Sequence, residues 1–379
     1  MKKTFYEFFA GGGMAHAGLG RDWDCIFAND FSEKKASSYA ANWGNRTLHV
    51  GDVALIETAH LPDQADLAWA SFPCQDLSLA GNGAGLDGAR SGTFWAFMKI
   101  MDGLRLQSRK PRIIALENVY GAITSHDGKD FEAMMNAVSE QGYRLGAMVI
   151  DAIHFVPQSR PRLFIVAVDS ELQIPDVCSK EIPNPAWHPA AIIKAYNQLP
   201  KKLKDQWVWW SPPQPKRSLK TLDDIIEKSP QGVDWHTPEE TQKLMEMMSP
   251  LNRRKVIQAQ EHGRLKVGAL YRRTREGVQR AEVRFDGISG CLRTPSGGSS
   301  RQTIIIVDGS SIRSRLLSPR EAARLMGLRD SYVLPDRYND AYHLAGDGVV
   351  VPVVSHLAKH ILNIVIEKNR AIVPFLRAA

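Results

Sequence analysis

The stretch Phe9-Ala10-Gly11-Gly12-Gly13 opens at the last residue of an apolar run, 4–9, and stands ahead of a short helical pattern. It limits the fold of this 379-residue chain more than any other feature. Glycines at the end of a strand permit a tight turn and let a ligand approach the main chain. Further runs of strand length, rich in Ile, Val, Phe or Trp, stand at 25–28, 66–71, 112–116, 145–151 and 163–168. Between them Phe94, Phe97, Met98, Met101 and Leu104 form a helical stripe, and 131–138 repeats the pattern. Strands alternating with helices argue for an open, mostly parallel α/β sheet covered on both faces, with ligands at the carboxyl ends of the strands.

After about Asp169 the rhythm stops. Residues 170–250 carry many prolines and the cluster Trp207-Val208-Trp209-Trp210, which reads as core packing rather than base stacking. From 251 to 330 there are 17 Lys+Arg against 7 Asp+Glu, whereas the whole chain has 48 against 41 and a net charge of +7. The positive charge is therefore concentrated in one segment. The length suits a large domain plus a smaller one. Ser318-Pro319-Arg320-Glu321 is a capping box with proline at the first helical position, and Gly327 is the stop. Val354, Leu357, Ala358, Ile361, Leu362 and Val365 form one face of a helix expected to pack back on the first domain.

No apolar run approaches the ~18–20 residues that cross a bilayer. Met1-Lys2-Lys3 reads as the start of the first core strand rather than as a signal peptide. Four scattered cysteines (Cys25, Cys74, Cys178, Cys291) include no CxxC pair, which fits a reducing compartment, no disulfide framework and no metal centre.

Four motifs carry chemistry. Behind the glycine loop, Asp30 ends the second strand, where a carboxylate can accept hydrogen bonds from ribose hydroxyls, and Asp52 ends a third. No GxxxxGK[ST] is present, which argues against an NTP-hydrolysing loop. Ser71-Phe72-Pro73-Cys74-Gln75 follows a core strand; Cys74 alone would read as a buried thiol, but this setting displays a nucleophile. The loop 79–92 after it holds five glycines and suits closure over a substrate. Glu117, in Leu116-Glu117-Asn118-Val119, emerges from an apolar strand, where desolvation favours holding a proton. In Gln158-Ser159-Arg160-Pro161-Arg162, two arginines at alternate positions would point the same way and grip a phosphate or carbonyl.

FAGGG, PCQ, ENV, QSRPR, the helix RLLSPREAARLMG and the terminal GDGVVVPVV occur in the order that marks DNA cytosine-5 methyltransferases, and over 4–168 and 315–364 the chain resembles that family. The resemblance implies a Rossmann-like S-adenosylmethionine-dependent methyltransferase sheet, with residues 1–175 plus 336–379 as the catalytic domain. Residues 176–335 would be a smaller target-recognition domain. It implies S-adenosylmethionine against Phe9, Ala10, Gly11 and Gly13, with Asp30 on the ribose, Phe31 stacked on adenine, and Asp52 and Val53 at the adenine edge. Pro73, Phe94, Asp347 and Val349 would help to wall the pocket.

Cys74 would add to carbon 6 of a flipped-out cytosine, Glu117 would serve ring nitrogen 3, Arg162 the 2-carbonyl, and Arg160 the same network. Gln75, Ser78 and Arg90, with Arg293, Gly297, Gly298 and Ser299 of a second loop, would contact double-stranded DNA. Asp347 stands where many members have asparagine. The resemblance further implies a cytoplasmic, nucleoid-associated monomer without a membrane partner, whose site a cognate restriction endonuclease could share. A tRNA cytosine-5 methyltransferase of the same family and a catalytically silent DNA-binding member remain the alternatives.

Overall fold

Seven strands form one sheet: β1 (Lys3–Phe8), β2 (Trp23–Asp30), β3 (Leu48–Val50), β4 (Leu67–Ala70), β5 (Ile113–Val119), β6 (Tyr143–Asp151) and β7 (Pro161–Asp169). Their order is β3-β2-β1-β4-β5-β7-β6, and β7 runs antiparallel to both of its neighbours in an otherwise parallel sheet. The computed structural model describes residues 2–73, 92–216, 218, 220–275, 277–294 and 301–377. Strand β4 is buried along its whole length, as expected where helices cover both faces. The helices α1 (Met14–Leu19), α2 (Glu33–Trp43), α3 (Thr93–Leu106) and α4 (Lys129–Glu140) belong to this layer. The stripe read from sequence on α3 is buried, Phe94, Phe97, Met98, Met101 and Leu104 included.

The chain divides into two units, one of Met1–Asp151, Pro161–Pro215 and Val349–Ala379, the other of Ala152–Arg160 and Lys216–Gly348. The boundaries expected at 175/176 and 335/336 thus fall instead at 215/216 and 348/349. The reason is the edge of the sheet. After β8 (Ser179–Lys180), α5 (Ala190–Gln198) and α6 (Lys201–Asp205) the backbone passes beside β6, with Leu145 N–H donating to Gln206 O (3.0 Å) and Val208 N–H to Leu145 O (2.9 Å). A Cβ on Gly146 would lie 1.8 Å from Val208 O, so only glycine admits this approach. Trp209 and Trp210 form β9 and are buried, so the tryptophan cluster is core, but core of the first unit.

The second unit holds α7 (Leu222–Ile225), α8 (Pro238–Glu246) and α9 (Pro250–Glu261) with an antiparallel sheet of order β11-β10-β12-β13. Its strands are β10 (Lys266–Arg275), β11 (Val278–Arg284), β12 (Thr303–Asp308) and β13 (Ser311–Leu316); α10 (Pro319–Leu325) and α11 (Tyr338–Asp347) follow. The capping box forms as read: Ser318 Oγ accepts from Glu321 N–H and the Glu321 carboxylate accepts from Ser318 N–H. That carboxylate also takes Arg315 in a fully buried bidentate pair, both contacts 2.7 Å.

The chain returns to the first unit through α12 (Val351–Leu357), a π-helical turn (Ala358–Leu362) and α13 (Asn363–Arg377). The stretch Tyr338–Ala371, which runs through α11, α12, the π-helical turn and the start of α13, is long and apolar enough to cross a membrane. Its Val353, Val354, Leu357, Ile361, Leu362 and Val365 are nevertheless buried in the fold.

Candidate active site

The glycine loop closes on itself at the end of β1. Phe9 and Gly11 both have left-handed backbones (φ 56° and 55°), as does Gly13 (φ 75°). Asp30, at the end of β2, binds the loop directly: its Oδ2 accepts from Gly11 N–H and its Oδ1 from Ser32 N–H, both at 2.8 Å. At Gly11 a Cβ would meet no atom of the described residues within 4 Å, so among them open space lies before that residue. At Gly13 the same atom would lie 2.3 Å from Trp43 Nε1, which donates to Gly12 O. Phe31 is 76% exposed. Asp52 caps a 3-10 turn by accepting from Ala54 N–H (2.9 Å), and Val53 behind it is buried. Ala10 and Phe94 are core residues, Phe94 packing its ring 5.2 Å from that of Phe72.

The antiparallel β7 explains the next feature. Glu117 of β5 lies opposite Phe164, and Arg162 lies opposite Val119. Residues so related sit diagonally on one face. Arg162 Nε accordingly comes 3.3 Å from Glu117 Oε1, with both side chains nearly buried. Next to them Asn118 donates from Nδ2 to Phe72 O (3.3 Å) and accepts Val119 N–H (2.8 Å), fixing the backbone that enters Pro73. Cys74, Gln75, Ser78 and Arg90 lie outside the described residues, as do Gly297, Gly298 and Ser299.

Arg160 departs from expectation. Rather than sharing the grip of Arg162, it belongs to the second unit and donates to backbone carbonyls there: Leu292 O (3.0 Å), Gly346 O (2.9 Å) and Gly348 O (2.8 Å). Buried cations need such acceptors, and the last two flank Asp347. Arg160 therefore holds the course of the C-terminal motif. Asp347 itself is exposed at the end of α11, and Val349 is buried.

The second unit also carries a cleft of about 820 Å³ whose lining, among the described residues, includes Lys255, Arg272, Arg273, Arg284, Arg293 and Arg301 against the one carboxylate of Glu282. Tyr271 Oη accepts Gly290 N–H on its wall.

A family model, C-5 cytosine-specific DNA methylase, matches residues 3–363. The chain belongs to that family. The type II methyltransferase M.HpaII of Haemophilus parainfluenzae is 27% identical over 381 residues, covering 95% of this chain and 89% of the relative. M.HhaI of Haemophilus parahaemolyticus is 25% identical over 359 residues, covering 94% and 93%. Among solved structures, a Spodoptera frugiperda DNMT2 mutant superposes with a TM-score of 0.62 at 18% identity, covering 94% of this chain and 99% of that one, which shows the same fold.

The methylase thus has a Rossmann-like methyltransferase sheet, and its reaction is methylation of DNA cytosine at carbon 5. Two parts of this methylase went unread in the sequence. The diagonal contact of Glu117 with Arg162 depends on strand direction, which residue periodicity does not encode. Lys255, Arg272, Arg273, Arg284 and Arg301 were visible only as the excess charge of 251–330.

Proposed function

We propose that the methylase transfers the methyl group of S-adenosylmethionine to a flipped-out cytosine through a covalent adduct on Cys74. The observation that carries this reading is the Arg162–Glu117 pair at 3.3 Å, with Asn118 anchoring the backbone just before Pro73-Cys74.

The residues present suit the cofactor. Open space before Gly11, an exposed aromatic ring at Phe31 and carboxylates at Asp30 and Asp52 fit a nucleoside whose sulfonium and amino groups are cationic. Phe9, Ala10, Gly11, Gly13, Asp30, Phe31, Asp52 and Val53 would hold it, with Pro73, Phe94, Asp347 and Val349 as in the family. When bound, it supplies an electrophilic methyl group.

The chain's own residues activate the ring. Carbon 5 of cytosine is a poor nucleophile. Addition of the Cys74 thiolate to carbon 6 pushes the electron pair of the 5,6 double bond toward carbon 5 and the pyrimidine ring. Glu117 holds a proton at nitrogen 3 and Arg162 donates to the 2-carbonyl oxygen, so the developing charge is spread rather than left on the ring. After transfer, loss of the carbon-5 proton re-forms the double bond and expels the Cys74 thiolate.

The second unit would read the target. Its cationic cleft, with Arg293 and the loop carrying Gly297, Gly298 and Ser299, suits a phosphate backbone and base edges. Gln75, Ser78 and Arg90 would contact DNA beside the flipped base, and Arg160 would act by positioning. The protein would work as a monomer on nucleoid DNA in the cytoplasm, with or without a cognate endonuclease.

Labelled methyl transfer to duplex DNA, with tRNA as control, tests the reading. Cys74→Ser should abolish transfer and covalent trapping on 5-fluorocytosine DNA while calorimetric cofactor binding persists. Trapping by that variant would remove Cys74 from the mechanism.

A further inference from the structure

Strand β1, helix α1 and strand β2 bring together three side chains that methyl transfer does not use. A carboxylate oxygen of Glu7, a ring nitrogen of His16 and the Sγ of Cys25 all lie within 4.8 Å of one another. Glu7 is 1% exposed. One of its oxygens, Oε1, accepts His16 N–H at 3.2 Å and so caps α1, whose N-cap, Gly13, has no side chain to do so. The other, Oε2, is buried and has no hydrogen-bond partner among the described residues. Such an orphaned carboxylate oxygen is costly unless something completes it.

The surroundings are already ordered. The His16 ring stacks on Trp43 (centroids 4.1 Å apart, planes at 16°) and meets Phe5 edge-on at 5.2 Å. Tyr39 Oη bridges His16 Nδ1 (3.2 Å) and Cys25 Sγ (3.3 Å). One sulfur, one nitrogen and one oxygen donor form the mixed set that zinc accepts in tetrahedral geometry, whereas magnesium and calcium take oxygen donors.

We propose that Glu7, His16 and Cys25 form a site for a thiophilic divalent cation of the zinc type, with the Tyr39 hydroxyl beside it. The cation would clasp β1, α1 and β2 around the glycine loop. The proposal is independent of how the methyl group is transferred.

The test is titration of the full-length, chelator-stripped protein with Co²⁺ and then Zn²⁺. The expected result is one equivalent of Co²⁺ with a thiolate-to-metal charge-transfer band, its displacement by Zn²⁺, and a melting temperature raised by Zn²⁺ but not by Mg²⁺. Cys25→Ser should lose the band, and His16→Gln and Glu7→Gln should weaken binding by tenfold or more, each judged on protein whose circular dichroism matches the parent. Cys74→Ser, Cys178→Ser and Cys291→Ser should retain it. Absence of binding by the intact chain would overturn the proposal. So would an unchanged cobalt spectrum in Cys25→Ser, or its loss only in one of the other cysteine variants.

Discussion

Replacing Gly13 with alanine should cost the first unit about 3 kcal/mol, and the sum can be worked from three contacts. The left-handed backbone (φ 75°) penalises any residue bearing a Cβ by about 1–2 kcal/mol. The new methyl group would sit 2.3 Å from Trp43 Nε1 and 2.6 Å from its Cδ1, so the indole must move. Movement breaks the 3.0 Å hydrogen bond from Nε1 to Gly12 O, worth about 1 kcal/mol. It also disturbs the stack on His16, worth about 0.5–1.5 kcal/mol. Urea unfolding followed by far-ultraviolet circular dichroism measures the loss, and Gly11→Ala is the control. Gly11 has a similar φ of 55° but no atom of the described residues within 4 Å of its would-be Cβ, so it should lose only about 1 kcal/mol. If the proposed cofactor site is right, Gly11→Ala should instead weaken S-adenosylmethionine binding, because its methyl group enters that open space. A Gly13→Ala protein within about 1 kcal/mol of the parent would refute the packing argument.

Glu117→Gln keeps the shape but not the exchangeable proton and should lower kcat by about 10²–10⁴ with little change in KM for DNA; steady-state methyl transfer measures it, and a loss below tenfold would exclude the proton role. Arg315→Met leaves Glu321 buried without its charge partner, which should cost about 3–5 kcal/mol; thermal melts of the variant and the parent decide. His188 is buried, accepts Asn184 N–H through Nδ1 (2.8 Å) and meets Trp209 edge-on, and burial holds it down at about 4 from 6.5. Between those values the unfolded chain binds the proton and the folded chain does not. The contribution of His188 is therefore fully present above about pH 6.5 and should fall by about 1.4 kcal/mol per pH unit on acidification toward 4. His188→Gln should flatten that part of a urea-midpoint pH profile.

The legible parts of this molecule were those written locally. Ser318 and Glu321 stand three residues apart and cap each other as their spacing requires. The stripe of α3 was readable because its period is that of one helix. The direction of β7 was less evident, yet a signal existed. Only residues 152–160 separate β6 from β7, too few for the crossover of about a dozen residues that a parallel neighbour needs. The placement of 176–215 had no such signal. Its attachment to β6 runs through backbone groups at Gln206 and Val208 and through the missing side chain of Gly146. Arg160 and Arg162 looked like a pair because alternation along a strand was assumed, but the boundary between the units passes between them.

That boundary bears on how such enzymes can exchange specificities. A genetic swap of 216–348 for the corresponding segment of a relative would leave 152–160 behind, and with it Gln158 and Arg160. Their acceptors in the exchanged part include the main-chain atoms Leu325 O, Leu292 O, Gly346 O and Gly348 O and the side-chain sulfurs of Cys291 and Met326. The retained strut therefore asks an incoming segment chiefly for a backbone path, with sulfur acceptors at the positions of Cys291 and Met326 as its side-chain demands. If the second unit reads the target, as proposed, surfaces with quite different sequences could be grafted onto one first unit, provided the turns that present those acceptors are kept.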